Sequence, residues 1–238
     1  MELYKIRKIR TSIVKLRALF LVKIAKRLRT LDSKDAFEVT VSHNLKGLYH
    51  CNDRIKLLID PLSCIEKLDK NSKILIIGPR NEHDLYLLAS QGFPMKNILG
   101  LDLISYSSKI KLGDMHQIPF EENAFDAIIF GWTLSYSATP KKAIQEIIRV
   151  VKPGGLVAIG VEYTSMTKED SEALIGYSIQ EHELLEKRIN STQQIIDLFE
   201  NQAGHIYFNH DAPMKRSHSA KSIVKNVSNV AVILEVKK

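Results

Sequence analysis

Two carboxylates stand where apolar runs end. Asp102 closes the run Ile98-Leu99-Gly100-Leu101, and Asp114 follows Gly113 shortly afterwards. A carboxylate at the tip of a buried strand can accept the hydrogens of a ribose diol, as in dinucleotide-binding folds. Gly78 and Gly131 end two further apolar runs, Lys73–Ile77 and Phe125–Phe130. A glycine at such a tip lets a ligand approach the backbone closely. Trp132 and Tyr136 follow Gly131 in the same stretch. An aromatic face attracts a cation, and a phenol can orient a hydroxyl.

These residues need a frame that brings strand tips together. The apolar runs are short, bounded by Gly, Pro and Asp, and separated by helical patterns, which is how buried parallel strands read. In such a sheet a ligand sits outside the carboxyl ends of the strands, where Gly78, Asp102, Asp114 and Gly131 would lie. Pro140 to Val151 carries Ala143, Ile144, Ile147, Ile148 and Val151 at helical spacing with Pro at its start. Lys152-Pro153-Gly154-Gly155 stops that helix and launches a fifth run, Leu156 to Val161. His205 to His210 alternates like a strand, and Asn226 to Val236 supplies another.

Several phrases, in this order and spacing, resemble the class I S-adenosylmethionine-dependent methyltransferases. They are Asp102, Gly-Asp-Met-His-Gln-Ile-Pro-Phe at 113–120, Phe125-Asp126, and Arg-Val-Val-Lys-Pro-Gly-Gly at 149–155. The resemblance covers residues 73–163 well and the remainder to 238 more loosely. It implies an α/β fold: a Rossmann-like, mostly parallel seven-stranded sheet flanked by helices, with the last strand antiparallel. It also implies S-adenosylmethionine as cofactor, Asp102 on the ribose hydroxyls, and Asp114 on the adenine amino group with Met115 backing the ring.

The loop after the first strand departs from the family pattern. Where the family reads roughly acidic-x-Gly-x-Gly-x-Gly, only Gly78 survives; Ile76 takes the place of the acid, and Arg80 and Glu82 those of the later glycines. The cofactor has no phosphate to cradle, but its methionine end carries an ammonium and a carboxylate. The expectation is that Gly78, Pro79, Arg80, Asn81 and Glu82 line that end, with Asn81 or Glu82 near the ammonium and Arg80 near the carboxylate. Trp132 is expected by the sulfonium. The base for a hydroxyl acceptor is left among Tyr136, Glu162, His182 and His210. His43 and His50 read as surface histidines that could line the substrate mouth. Residues 104–111 are too short for the family's usual helix, leaving the adenosine side open or closed by another segment. Residues 165–190 form the natural acceptor lid, and 211–225 a basic loop.

Charge is uneven. The chain of 238 residues has net charge +7, yet residues 1–31 alone hold ten Lys/Arg against one acid, Glu2. The remaining chain is therefore slightly acidic, which argues against a broad nucleic-acid groove across it. Leu3, Ile6, Ile9, Ile13, Leu16, Phe20, Ile24, Leu28 and Leu31 recur three or four apart, an amphipathic helix with a basic opposite face. It could pack on its own domain, on a partner helix, or in the plane of an anionic membrane surface. Its longest unbroken apolar stretch, Ala18 to Val22, is far too short to span a bilayer.

The chain thus divides into a basic helix (1–31), a lead-in helical segment (32–72) in which Pro61 should bend or split a helix over 54–68, and a methyltransferase domain (73–238). Two cysteines, Cys51 and Cys64, make neither a metal nor a disulfide framework. No metal is expected, and the location is cytoplasmic or peripheral to a membrane. The activity expected is methyl transfer to a small-molecule, sugar or lipid-linked hydroxyl. The alternative is a non-catalytic scaffold docked through the N-terminal helix.

Overall fold

The computed structural model describes residues 2–36, 40–164, 169, 189–211 and 227–238. Seven strands form one sheet: β2 (Ile74–Ile77), β3 (Ile98–Asp102), β5 (Ile110–Leu112), β6 (Phe125–Gly131), β7 (Val151–Thr164), β8 (Ala203–His210) and β9 (Val227–Val236), in the order β5-β3-β2-β6-β7-β9-β8. All neighbours are parallel except at β9, which runs antiparallel to β7 on one side and β8 on the other. The expected α/β sheet, its strand count and its antiparallel last strand are therefore present.

Register explains why the strand tips meet. Ile77 lies opposite Leu101 on one side and Phe130 on the other, so Gly78, Asp102 and Gly131 form a row. Asp102 pairs with Leu112, which brings Gly113 and Asp114 to the end of that row. Gly131 pairs with Gly160, placing Glu162 just beyond.

Both faces of the sheet are covered. Leu75, Ile77, Ile128, Phe130, Val157 and Ile159 pack on α5 (Pro140–Val150) through Ala143, Ile144 and Ile147. The alternate residues Ile74, Ile76, Ala127, Ile129 and Ala158 pack on α3 (Lys56–Ser63) and α4 (His83–Ser90) through Leu58, Ile59, Leu62, Leu85 and Leu88. This is the period-two division a strand imposes when both faces are buried. Pro61 sits inside α3, which ends at Ser63, well short of the helix end expected near Leu68. Ser191 caps α6 (Thr192–Asp197) by accepting from the Gln194 amide.

The N-terminal region differs most from expectation. Helix α1 (Arg7–Leu19) continues as one π turn, Phe20–Ile24. A two-residue strand β1 (Arg29–Thr30) then pairs with β4 (Ile104–Ser105), closing the side left without the usual helix. The face of α1 turned to the body carries Arg10, Val14 and Ala18. The apolar series that defined the helix by spacing is split: Ile6, Leu16, Phe20, Ile24 and Leu31 are exposed, whereas Ile9, Ile13 and Leu28 are half-buried.

Two ion-pair clusters hold α1 in place. Arg10 and Arg7 reach Asp53 at 3.1 Å, and Asp53 also meets His83 Nε2 at 2.8 Å. Arg17 Nε donates to fully buried Glu82 at 2.7 Å. Ser107 Oγ donates to the other carboxylate oxygen, Oε1. A buried carboxylate left without its cation costs more than the pair is worth when intact. Arg17 is itself partly in water, so Arg17→Ala is expected to lower unfolding free energy by about 2–3 kcal/mol in urea titration.

Candidate active site

Asp102 is almost fully buried, and both of its oxygens are engaged. The Arg80 amide donates to Oδ2 at 2.8 Å; Asn44 Nδ2 and the Ile104 amide donate to Oδ1 at 3.1 Å each. Burial nevertheless pushes its carboxyl up to about 6, against the pull of those donors. Two carboxylate oxygens offer about four acceptor sites, so capacity remains beyond the three donors present.

Asp114 is set differently. Burial would raise it, but the His116 ring and amide and the Ser33 hydroxyl hold it down at about 2. His116 Nδ1 lies 2.6 Å from Asp114, and its Nε2 lies 2.7 Å from Ser137 Oγ. This series has the outline of a serine–histidine–acid relay. Ser137 Oγ, however, already accepts from the Thr139 amide, and neither Ser137 nor His116 lines a described cavity. Its effect is to fix Asp114. Asp35 lies close to this pair, with ligand-type atoms of the three residues within 4.8 Å of one another, and it is occupied by Lys142 at 2.6 Å and Thr139 at 3.1 Å.

Asp102 and Asp114 line one hollow, together with Gly78, Leu101, Met115, Thr133 and Tyr136. It holds only about 30 Å³, because Ala36, Thr40 and Asn44 close over it. Thr40 and Asn44 belong to α2 (Thr40–Lys46), in the lead-in segment. The hollow opens, through Thr40, Asn44, Gly78, Thr133 and Tyr136, onto a cavity of about 800 Å³.

The wall of the larger cavity includes Pro79, Arg80, Asp84, His43, Trp132 and Glu162. Three left-handed backbones support this junction: Gly78 at φ +73°, Arg80 at +55° and Trp132 at +57°. The turn at Arg80 aims its amide at Asp102. Its guanidinium crosses Gly47, where a Cβ would lie 2.4 Å from a guanidinium nitrogen. Strain of this kind collects at functional sites because surrounding structure holds it there.

Not every expected residue faces the cleft. Glu82 is fully buried behind it, on Arg17 and Ser107, and lines neither cavity. Asn81 borders the large cavity, but its amide is committed to the Leu48 and His50 carbonyls at 3.0 and 2.9 Å. Trp132 lines the cavity with its indole N–H on Asn229 at 3.1 Å and the Arg54 guanidinium 4.4 Å over its ring. A protein cation thus already sits on the aromatic face expected to meet the sulfonium. Glu162 faces the cavity and pairs with Arg54 at 3.3 Å. His210 stacks on Phe208 in β8 and lines neither cavity. His182, the lid and most of the basic loop lie outside the described residues.

Two residues were under-read. Asp84, on the first turn of α4, lines the large cavity, and burial raises its carboxyl to about 7 despite nearby Arg80 and Arg54. His43, from α2, brings Nε2 to 3.4 Å from the Tyr136 hydroxyl with the rings 5.6 Å apart. Burial, then Arg80, Lys46 and Arg54, lower its pKa and favour the neutral imidazole. The spacing Glu82-x-Asp84 signalled an acid near the lost glycines; nothing in the sequence linked His43 to Tyr136.

A family model described as a methyltransferase domain matches residues 77–159. Over that stretch the chain is similar to methyltransferase domains. Demethylmenaquinone methyltransferase of Desulfitobacterium hafniense (strain Y51) is 48% identical over 54 residues, 22% of this chain and 21% of that protein. Malonyl-[acyl-carrier protein] O-methyltransferase of Marinomonas sp. (strain MWYL1) is 21% identical over 187 residues, 71% of this chain and 68% of that protein. The match to the first of these thus spans about a fifth of the relative's length. Among solved structures, geranyl diphosphate C-methyltransferase from Streptomyces coelicolor A3(2), in complex with Mg2+, geranyl diphosphate and S-adenosyl-L-homocysteine, superposes with TM-score 0.52 at 12% identity. The match covers 76% of this chain and 77% of that one. At that identity the likeness is one of fold.

The residues present fit S-adenosylmethionine, the cofactor the resemblance implies. Carboxylates with spare acceptor capacity meet the hollow, and an acid and a guanidinium face the adjoining cavity. At Gly78 an added Cβ would collide with the Thr133 side chain, in a left-handed backbone region that side chains rarely adopt. Gly78→Ala is expected to cost about 2–4 kcal/mol of stability, read as a lowered denaturant midpoint; an unchanged midpoint would contradict the strain described.

Proposed function

We propose that the protein is an S-adenosylmethionine-dependent methyltransferase acting on a small-molecule, sugar or lipid-linked hydroxyl. The observation that carries this is the meeting of Asp102 and Asp114 in one hollow that shares Thr40, Asn44, Gly78, Thr133 and Tyr136 with a cavity of about 800 Å³. Asp102 would accept the ribose hydroxyls and Asp114 the adenine amino group, with Met115 against the ring. For the hollow to take an adenosine, Ala36, Thr40 and Asn44 would have to draw back.

At the methionine end the acidic assignment shifts by two or three residues. Asp84 takes the ammonium in place of Asn81 or Glu82, and Arg80 keeps the carboxylate. When bound, the cofactor supplies an electrophilic methyl group on a sulfonium. Catalysis then rests chiefly on positioning. Tyr136 orients the acceptor hydroxyl and His43, held neutral, receives its proton; Glu162 holds Arg54 across the Trp132 face. The acceptors named for the relatives, demethylmenaquinone among them, favour a small-molecule class.

Calorimetric titration with S-adenosylmethionine and S-adenosylhomocysteine tests the reading. Micromolar binding is expected, and Asp102→Ala should weaken it about 100-fold, as loss of two charge-assisted hydrogen bonds implies. No heat at high micromolar ligand would overturn the enzyme and favour the docked scaffold.

The Asp84 assignment has its own signature. A carboxyl raised to about 7 must ionise to hold an ammonium, so affinity should climb as pH rises through 7. Protein stability should move oppositely, falling as pH rises from the ordinary carboxylate range through 7, because the native state resists that ionisation. Asp84→Asn should flatten both limbs near 7 and weaken binding at pH 8 about tenfold. A pH profile unchanged by the substitution would refute the assignment.

A further inference from the structure

The N-terminal helix carries more apolar surface than its own domain covers. At about 100° per residue, Val14 and Ala18 face the body, Leu16 falls opposite them, and Leu19 and Phe20 flank Leu16; Ile24, at the end of the π turn, is exposed as well. Those four are 68%, 49%, 55% and 70% exposed. A helix lying on its own domain needs one apolar stripe, turned inward. This one has an inward stripe and an outward one. Single exposed apolar residues are ordinary, but a contiguous outward row marks a contact surface.

Charge selects the kind of contact. Exposed Lys15, Lys23, Lys26 and Arg27 interleave with the row, and no acid occurs between Glu2 and Asp32. A nucleic acid would be met by the cations alone, with no use for Leu16, Phe20 or Ile24. A protein groove would need acids placed against cations distributed along both flanks of the row. An anionic bilayer offers both chemistries along its whole surface: headgroup phosphates outside and hydrocarbon a few ångströms deeper. None of the described helices is long and apolar enough to cross a membrane, so the contact would lie in the plane.

We infer that the outward edge of residues 15–27 docks on an anionic lipid surface, with Leu16, Leu19, Phe20 and Ile24 entering the headgroup–acyl boundary and the interleaved cations meeting lipid phosphates. The edge is preformed. Arg10 on Asp53 and Arg17 on Glu82 fix the helix to the body, and Glu82 lies two residues from Arg80 at the cleft. Docking would therefore orient the cleft as well as tether it. This inference stands apart from the cofactor reading and can fail without it.

Flotation of the full chain with vesicles provides the test. Vesicles of phosphatidylcholine with about one-third phosphatidylglycerol should bind the protein at least tenfold more tightly than phosphatidylcholine alone, and about 1 M salt should abolish the difference. The exposed triple substitution L16S/F20S/I24S should lower partitioning about tenfold or more, with the thermal melt unchanged. K23E/K26E/R27E should reduce binding to the phosphatidylcholine level. The proposal is overturned if the wild-type chain does not float with anionic vesicles, or if L16S/F20S/I24S floats as well as wild type. Vesicle binding absent alongside a concentration-dependent dimer that the triple substitution dissolves would overturn it too, assigning the edge to a second copy of the chain.

Discussion

The cleft depends on one buried carboxylate. Asp102 gathers the Arg80 amide from the loop after β2, the Ile104 amide from its own chain, and the Asn44 side chain from α2. Two segments distant in sequence, at Asn44 and Arg80, are thereby tied to one strand tip. Burial opposes its ionisation, and directed donors offset that cost. A carboxylate so placed is both a fastening and an acceptor, and the same group that shapes the loop is the one a ribose would address.

The glycine loop keeps its left-handed turns although the family pattern has eroded. With no phosphate to surround, backbone approach is needed at one position, and Gly78 supplies it at φ +73°. Arg80 adopts the left-handed turn a glycine would have taken, at +55°, and contributes a guanidinium besides. Glu82, in the place of the last glycine, has become an internal anchor for the N-terminal helix. The acid facing the cavity is two residues further on, at Asp84.

The sheet was legible because both-face burial writes continuous apolar runs, and because the family phrases lie at the strand tips. The row of Gly78, Asp102, Asp114 and Gly131 follows from those runs once they are parallel. What stayed hidden was tertiary choice. Spacing showed that α1 is amphipathic but not which side the body would use: it took Val14 and Ala18, small enough for close approach to α4, over the larger Leu16 and Phe20. The roles of Glu82 and Asp84 differ by a rotation of the helix start that composition does not encode. His43 meets Tyr136 across 93 residues, a contact made by the docking of α2 rather than by local pattern.

The placement of β9 governs how the sheet can be completed. It is the latest strand in the chain, yet it sits inside the sheet, pairing along β7 from Leu156 to Thr164 and along β8 from Ala203 to His210. Until it inserts, β8 has no hydrogen-bonding neighbour and β7 presents an open edge of apolar backbone, the kind that recruits other chains. During synthesis the half built from β5, β3, β2, β6 and β7 can assemble first, whereas the outer pair must wait for the ribosome to deliver residues 227–236. Assembly is thus directional, closing from its far side by a strand translated after the other described strands of the sheet.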